Sequence, residues 1–176
     1  EVAALLDESV KAVVGTGQIH RAVECLRAAL ALQKLGPLDR ARFLLELAAL
    51  QRRVGRPEEA LKSLGLAAGV ADSNTAQARE IDEAILAFYR EENRLEELAA
   101  QREKELQNNS TSPVYLWRVA RVRMVRNSLG QARDLLAEGL QKNPGHLLLL
   151  STLADVAALQ GKHAEVRDIA RDLAAR

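Results

Sequence analysis

The sequence predicts an all-α chain built as a string of helical hairpins, and three observations carry that expectation. Strand signals are nearly absent: no stretch alternates apolar and polar residues for long, and Thr, Tyr, Phe and Trp are scarce. Apolar residues recur instead at helical spacing, as in Leu44, Leu47, Ala48, Leu50 and Val54, in Val119, Ala120 and Val122, and in Leu153, Ala154 and Ala157. Turn-forming residues break that periodicity at regular intervals. The composition agrees. Among 176 residues there are 30 Leu and 30 Ala, with only 3% aromatics, so the core must be filled by close-packed aliphatic side chains, as in helix-on-helix packing.

The breaks set out the elements in order. Short ones fall at Gly15/Gly17, Gly55-Arg56-Pro57, Glu92-Asn93, Asn127-Ser128-Leu129-Gly130 and Gly161-Lys162. Longer ones fall near Gly36-Pro37, Asp72-Ser73-Asn74, Asn108 to Pro113 and Asn143-Pro144-Gly145. Ten helices result, joined alternately by short and longer connections. The chain begins at Glu1 and ends inside a helical pattern at Asp168 to Arg176, which reads as a segment of something longer.

Aligning the short breaks exposes a repeat. Gly17-Gln-Ile-His-Arg-Ala22, Gly55-Arg-Pro-Glu-Glu-Ala60, Asn93-Arg-Leu-Glu-Glu-Leu98, Asn127-Ser-Leu-Gly-Gln-Ala132 and Gly161-Lys-His-Ala-Glu-Val166 superpose, with sixth positions spaced by 38, 38, 34 and 34 residues. The second unit reads Leu47-Ala48, Gly55, Ala60, Leu64, Ala67, and the fourth reads Val119-Ala120, Asn127, Ala132, Leu136, Gly139, Pro144. The first keeps Gly17, Ala22, Leu26 and Ala29; the fifth keeps Leu153-Ala154 and Gly161 but carries Val166 and Leu173 at its two small positions. Small side chains there let the two helices of a pair approach within about 8–10 Å.

This pattern resembles the tetratricopeptide repeat along essentially the whole chain. The resemblance implies a right-handed α-solenoid of about five hairpins, in units of about 3–40, 41–78, 79–112, 113–146 and 147–176. The third unit departs most, with Leu86, Leu98, Arg102 and Glu105 where small or apolar residues are expected. Either its register slips by one, Ala99 taking the small position, or its second helix packs loosely, with a change of curvature near residues 79–108.

No constellation of residues points to catalysis, a cofactor or a metal. His20, His146 and His163 lie in turns or at helix starts without ligand spacing and read as solvated. Cys25, on a stripe with Val23, Leu26 and Ala29, reads as a small buried hydrophobe. Glu58-Glu59, Glu91-Glu92 and Glu96-Glu97 read as helix-opening carboxylates that suit the positive end of the helix dipole. Asn108-Asn-Ser and Asn109-Ser-Thr have the form of glycosylation acceptors and read as loop composition. The longest apolar run, Leu147 to Leu150, is far too short to span a bilayer. Lys and Arg total 25 against 24 Asp and Glu, which disfavours a nucleic-acid binder.

What such an array offers is a surface. The resemblance implies a concave groove lined by the first helix of each hairpin. Carried onto this chain, its ligand-facing positions are Asp7 and Lys11 in the first unit, Arg42, Leu45, Ala49, Arg52 and Arg53 in the second, and Glu80, Glu83, Ala87 and Arg90 in the third. The fourth contributes Val114, Trp117, Arg121, Met124 and Val125, the fifth Leu148, Ser151, Asp155 and Leu159. Trp117, Arg121 and Met124 share one helix face, flanked by Arg118, and are residue types enriched at interface hot spots. Trp117 has a second reading, as a side chain packed between neighbouring repeats. The arginines could draw an acidic partner or simply be solvated, and Glu80 and Glu83 leave the groove mixed in sign. The fifth positions, Asp7, Leu45, Glu83, Trp117 and Ser151, lack the Lys and Asn clamp by which some members hold chaperone C-termini.

The resulting expectation is a non-catalytic scaffold for a protein or peptide partner, with no direct membrane insertion. The Ala/Leu/Arg-rich composition resembles bacterial repeats, in which such arrays serve envelope, export or secretion assemblies. Alternatives are a regulatory or sensor segment of a larger enzyme or transcription regulator, and self-assembly through uncapped ends. The terminal helices keep Val2, Leu5, Leu6 and Val13, and Val166, Ile169, Ala170 and Leu173.

Overall fold

The computed structural model describes residues 8, 14–15, 17–32, 35–70 and 76–175. Among them are nine helices and no strand. They are α1 (Ile19–Ala31), α2 (Pro37–Arg53), α3 (Pro57–Val70), α4 (Ala76–Glu91), α5 (Leu95–Asn108), α6 (Pro113–Val125), α7 (Leu129–Lys142), α8 (Leu147–Leu159) and α9 (His163–Ala174). Helices α2/α3, α6/α7 and α8/α9 form expected hairpins, and a short turn at Asn93 links α4 to α5. The helix expected ahead of α1 lies outside the described residues except for Glu8, Val14 and Gly15. The chain divides into two compact units, Glu1–Phe88 and Tyr89–Arg176, with the boundary inside α4.

The turns explain the period. Five described residues have positive φ: Gly17 (76°), Gly55 (74°), Asn93 (55°), Asn127 (59°) and Gly161 (73°). These are the five residues that open the aligned motifs. Glycine enters the left-handed region without penalty, and asparagine is the side chain that tolerates it best. Each turn closes its helix with the same pair of backbone bonds where both partners are described. Gly55 N–H donates to Arg52 O (2.9 Å) and Arg56 N–H to Gln51 O (2.8 Å); Asn127 N–H donates to Met124 O (2.9 Å) and Ser128 N–H to Arg123 O (2.8 Å). This Schellman arrangement satisfies carbonyls that the helix end leaves open and turns the chain back on itself. Pro37 and Pro113 start their helices where a missing N–H does no harm.

Within the first unit, Ala22, Leu26 and Ala29 of α1 are buried against Phe43, Leu47 and Leu50 of α2, and Ala41, Leu44, Ala67 and Ile81 form a second cluster. A polar seam joins the same helices. Ser63 Oγ donates to Gln51 Oε1 (2.8 Å), and Arg27 pairs with Glu59. In the second unit Leu116, Ala120, Ala132, Leu136, Leu149 and Val156 share one cluster. The small positions are where helices touch. Ala22, Ala60 and Ala132 are fully buried, and a Cβ on Gly139 would stand 3.0 Å from Leu149 Cδ1 and 3.2 Å from Leu116 Cδ1.

In the third unit the turn falls where the aligned motif puts it. Asn93 holds the turn in register, Leu98 and Ala99 are both buried, and Arg102 is 4% exposed. Its Nη1 donates to Arg118 O (2.8 Å), so a buried guanidinium fastens α5 to α6 where its neighbours use leucine. Two sequence expectations fail. Glu91 is the last residue of α4, and Glu92 lies in the turn, so that pair closes a helix instead of opening one. Cys25 is exposed, because the buried stripe of α1 runs through residues 22, 26 and 29, and position 25 falls on its outer flank.

His146 is half-buried rather than solvated. It caps the N-terminus of α8, and its Nδ1 is buried without a hydrogen-bond partner among the described residues. Burial lowers its pKa below the ordinary 6.5, because the imidazolium is the form that loses hydration. The unfolded chain therefore binds the proton more readily, and stability falls as pH drops below about 6.5. His146→Asn puts a residue suited to the N-cap in place of the titrating imidazole and should flatten this acid limb, as read from urea midpoints between pH 8 and pH 5.5.

Candidate interaction face

The first helices of the hairpins present the faces that the sequence assigned to partner binding, and each compact unit carries its own. In the first unit α2 and α4 are tied at both ends. Gln77 Nε2 donates to Leu38 O (2.9 Å), and the Arg52 guanidinium lies 5.6 Å from the centroid of the Phe88 ring. Positions 42, 45, 49, 52 and 53 of α2 fall on one side of the helix. Arg42, Ala49 and Arg53 are exposed; Leu45 and Arg52 are half-buried. Arg42 stands over Phe43 at 5.2 Å and 3.7 Å from Asp39 Oδ1. Both rings are fully buried, so they hold the two guanidiniums near the surface by cation–π attraction. On α4, Glu80 and Glu83 are exposed and Ala87 is half-buried, with Arg79 Nε 3.4 Å from Glu83 Oε1. Arg90, exposed near the end of α4, belongs to the second unit.

In the second unit the hot-spot reading of Trp117 is overturned. Trp117 is 1% exposed, and its Nε1 donates to Thr152 Oγ1 (3.0 Å) on α8. The physical reason is area: an indole removes more apolar surface from water than any neighbour here, and Thr152 satisfies the one polar atom that would oppose burial. Met124 and Arg121 are half-buried, Met124 packing on the same cluster as Trp117. Arg118 is half-buried, its guanidinium 5.8 Å over Tyr115. Asp155 is half-buried, while Val125 and Leu159 are exposed. The structure therefore brings Trp117 and Met124 together as core and leaves Arg118, Arg121 and Asp155 at the surface margin.

Asp7 and Lys11 lie outside the described residues. Sequence reasoning missed Thr152, Phe43 and Phe88, the residues that fix Trp117, Arg42 and Arg52. Thr152 is legible only in retrospect, as a buried hydroxyl in a mostly apolar helix, 35 residues beyond Trp117. His20 and His163 are exposed at helix starts. Among the described residues no group of three His, Cys, Asp or Glu side chains could hold a metal ion, and no helix is long and apolar enough to cross a membrane.

The electrostatics of these faces are local. Among the described residues Glu97 is a carboxylate held below its usual pKa, mainly by the hydrogen bond from Arg94, with Nε to Oε2 at 2.8 Å. Arg123 pairs with Glu103 (2.7 Å) and Arg126 with Glu96 (3.0 Å), which neutralises part of the positive charge that α6 and its following turn would otherwise display. Trp117→Ala should destabilise the second unit by about 3–5 kcal/mol. Thr152→Val, which strands the indole N–H, should cost about 1–3 kcal/mol. Urea denaturation followed by circular dichroism checks both, with tryptophan emission as a second probe for Thr152→Val, and an unchanged midpoint for Trp117→Ala would return that residue to the surface.

No family model matches the chain, and no curated protein matches it. Solved structures do. The nearly identical TPR-like repeats of a Podosopora anserina protein described as a kinesin light chain are 17% identical, with a TM-score of 0.50, 98% of this chain and 92% of that one covered. BtubC (BKLC) from P. vanneervenii is 15% identical, with a TM-score of 0.50 over 96% of this chain and 78% of that one. A tetratricopeptide repeat protein from Parabacteroides merdae is 22% identical with a TM-score of 0.49, and the alignment covers 95% of this chain but only 63% of that one. At these identities the likeness speaks to fold, and it agrees with the helix-turn-helix order and the recurring left-handed turns. The chain has the fold of a tetratricopeptide-like helical repeat.

Proposed function

We propose that the chain is a non-catalytic interaction scaffold that binds a protein or peptide partner through the faces of its first helices. The observation that carries this reading is the contrast on α2. One side is buried through Ala41, Leu44 and Ala48, while the opposite side displays Arg42, Ala49 and Arg53 and holds Arg42 and Arg52 over buried rings. A face of this kind supplies positioned charge with little side-chain freedom left to lose on binding. Leu45 belongs to the same face of α2, and Glu83, Arg90, Arg118, Arg121 and Asp155 extend the reading to the other first helices. From the Ala/Leu/Arg-rich composition we infer a bacterial envelope, export or secretion assembly as the setting.

A photo-crosslinking residue placed at Arg53 or Glu83 should capture the same partner in the source cell, and one at Lys62, exposed on α3, should not. Arg42→Glu with Arg53→Glu should abolish capture while leaving helical content and melting unchanged. Equal capture from Lys62, or capture unaffected by the charge reversal, would move the interface off this face.

Self-association is a second reading, favoured by α9. None of its described residues is fully buried; Val166, Ile169 and Leu173 are only half-buried, and Leu159 at the end of α8 is 63% exposed. Sedimentation velocity should then show association as concentration rises, weakened by Leu159→Glu. A monomer throughout would rule it out.

A further inference from the structure

From the face of α2 and α4 we infer the partner's form: an amphipathic α-helix with one acidic and one basic edge, laid along residues 38–87. This rests on the scaffold reading above and narrows it. Three features of the first unit support it together.

The first is what the face cannot do. It is built of helices, whose backbone groups are bonded internally, so it has no free strand edge to pair with an extended peptide. Nor does any of its forward-facing positions on α2 and α4, 42, 45, 49, 52, 53, 80, 83 and 87, carry an amide side chain that could receive the N–H and C=O groups of an extended backbone. A partner that satisfies its own backbone fits such a surface, and an α-helix does so along its whole length.

The second is an apolar track. Leu38 is 68% exposed at the start of α2, and Leu45, Ala49 and Ala87 continue from it. The alanines keep the track shallow, which lets a helix approach closely. From Leu38 to Ala49 it runs about 16 Å along α2, or roughly three helical turns.

The third is charge. Arg52 reaches across to Phe88, so the side of α2 bearing residue 52 faces α4. Residues 42 and 53 lie about 80–100° round the helix from it, on the edge away from α4. That outer edge is therefore basic, while Glu80 and Glu83 make the α4 side acidic. Two opposed edges of opposite sign match the two flanks of a helix. An extended chain, whose side chains alternate between two opposed sides, can charge both flanks only by leaving no side chain for the apolar track between them.

The test uses the full chain and three fluorescein-labelled 20-residue peptides with a common Leu/Ala stripe. One helix carries Glu on one edge and Lys on the other. A second helix carries Lys on both edges. The third has the composition of the first but contains two prolines that forbid a helix. Fluorescence anisotropy should show the mixed-edge helix binding at least tenfold tighter than either control, and more weakly at 300 mM than at 50 mM salt. Arg42→Glu with Arg53→Glu, shown to be folded by circular dichroism, should lose tenfold for the mixed-edge helix and gain for the all-Lys one. Binding of the proline peptide as tightly as the helix, indifference to the charge reversal, or no binding by any peptide would overturn the inference. Crosslinked partner at Arg53 alongside such a failure would leave the scaffold reading standing and remove only the helical occupant.

Discussion

How closely two helices approach is set by the side chains between them, and the rest of this structure depends on keeping that gap small at regular intervals. Ala22, Ala60 and Ala132 have no exposed surface, and Gly139 sits against Leu116 and Leu149 at distances that leave no room for a methyl group without movement. With the gap small, leucines at 26, 64 and 136 fill the remaining space almost completely. The left-handed residue at each short turn then fixes where the second helix starts relative to the first. Contact and turn are thus two halves of one constraint. The turn delivers the small residue to the crossing, and the crossing makes the turn geometry worth its conformational restriction.

Helix α5 shows that neighbouring helices can also be held by different chemistry. Leu98 occupies the small position, and the helix carries Arg102 where its neighbours carry leucine. A charge that deep is tolerated only if its donors are used, and the Arg118 carbonyl takes one of them. The connection from α5 to α6 is thereby directional: it specifies one carbonyl, whereas an apolar contact would accept any nearby surface. Arg123–Glu103 and Arg126–Glu96 join the same two helices from the outside. These pairs are partly exposed and add little energy singly, but they agree with the buried tether on a single alignment of the two helices.

Much of this was legible in the sequence because it is periodic. The spacing of Gly17, Gly55, Asn93, Asn127 and Gly161 located the turns, and the alanines five positions later located the crossings in three of the five units. What periodicity does not supply is which neighbour covers a given face. Trp117 occupies the same register as exposed Glu83 and half-buried Leu45, yet it is buried because Thr152 and its surroundings receive it. Cys25 adjoins apolar residues in sequence and still faces outward, since one residue of offset is a rotation of about 100°. Glu91 and Glu92 resemble the helix-opening Glu58-Glu59 pair, and only the position of the following asparagine assigns them to a helix end. The candidate face was read in the same partial way: its charges were visible, and the rings that hold two of them were not.

Trp117 gives the molecule an unusual optical property. It is the only tryptophan in the chain, it is buried among α6 and α8, and its indole N–H is engaged by a single hydroxyl. Its emission reports the packing of the second compact unit and is silent about the first, which holds two phenylalanines and no tryptophan. Far-ultraviolet dichroism, by contrast, sums helices from both units. Coincident traces from the two signals would mean that the repeats melt as one cooperative block, and traces that part would time the two units separately in an unlabelled sample.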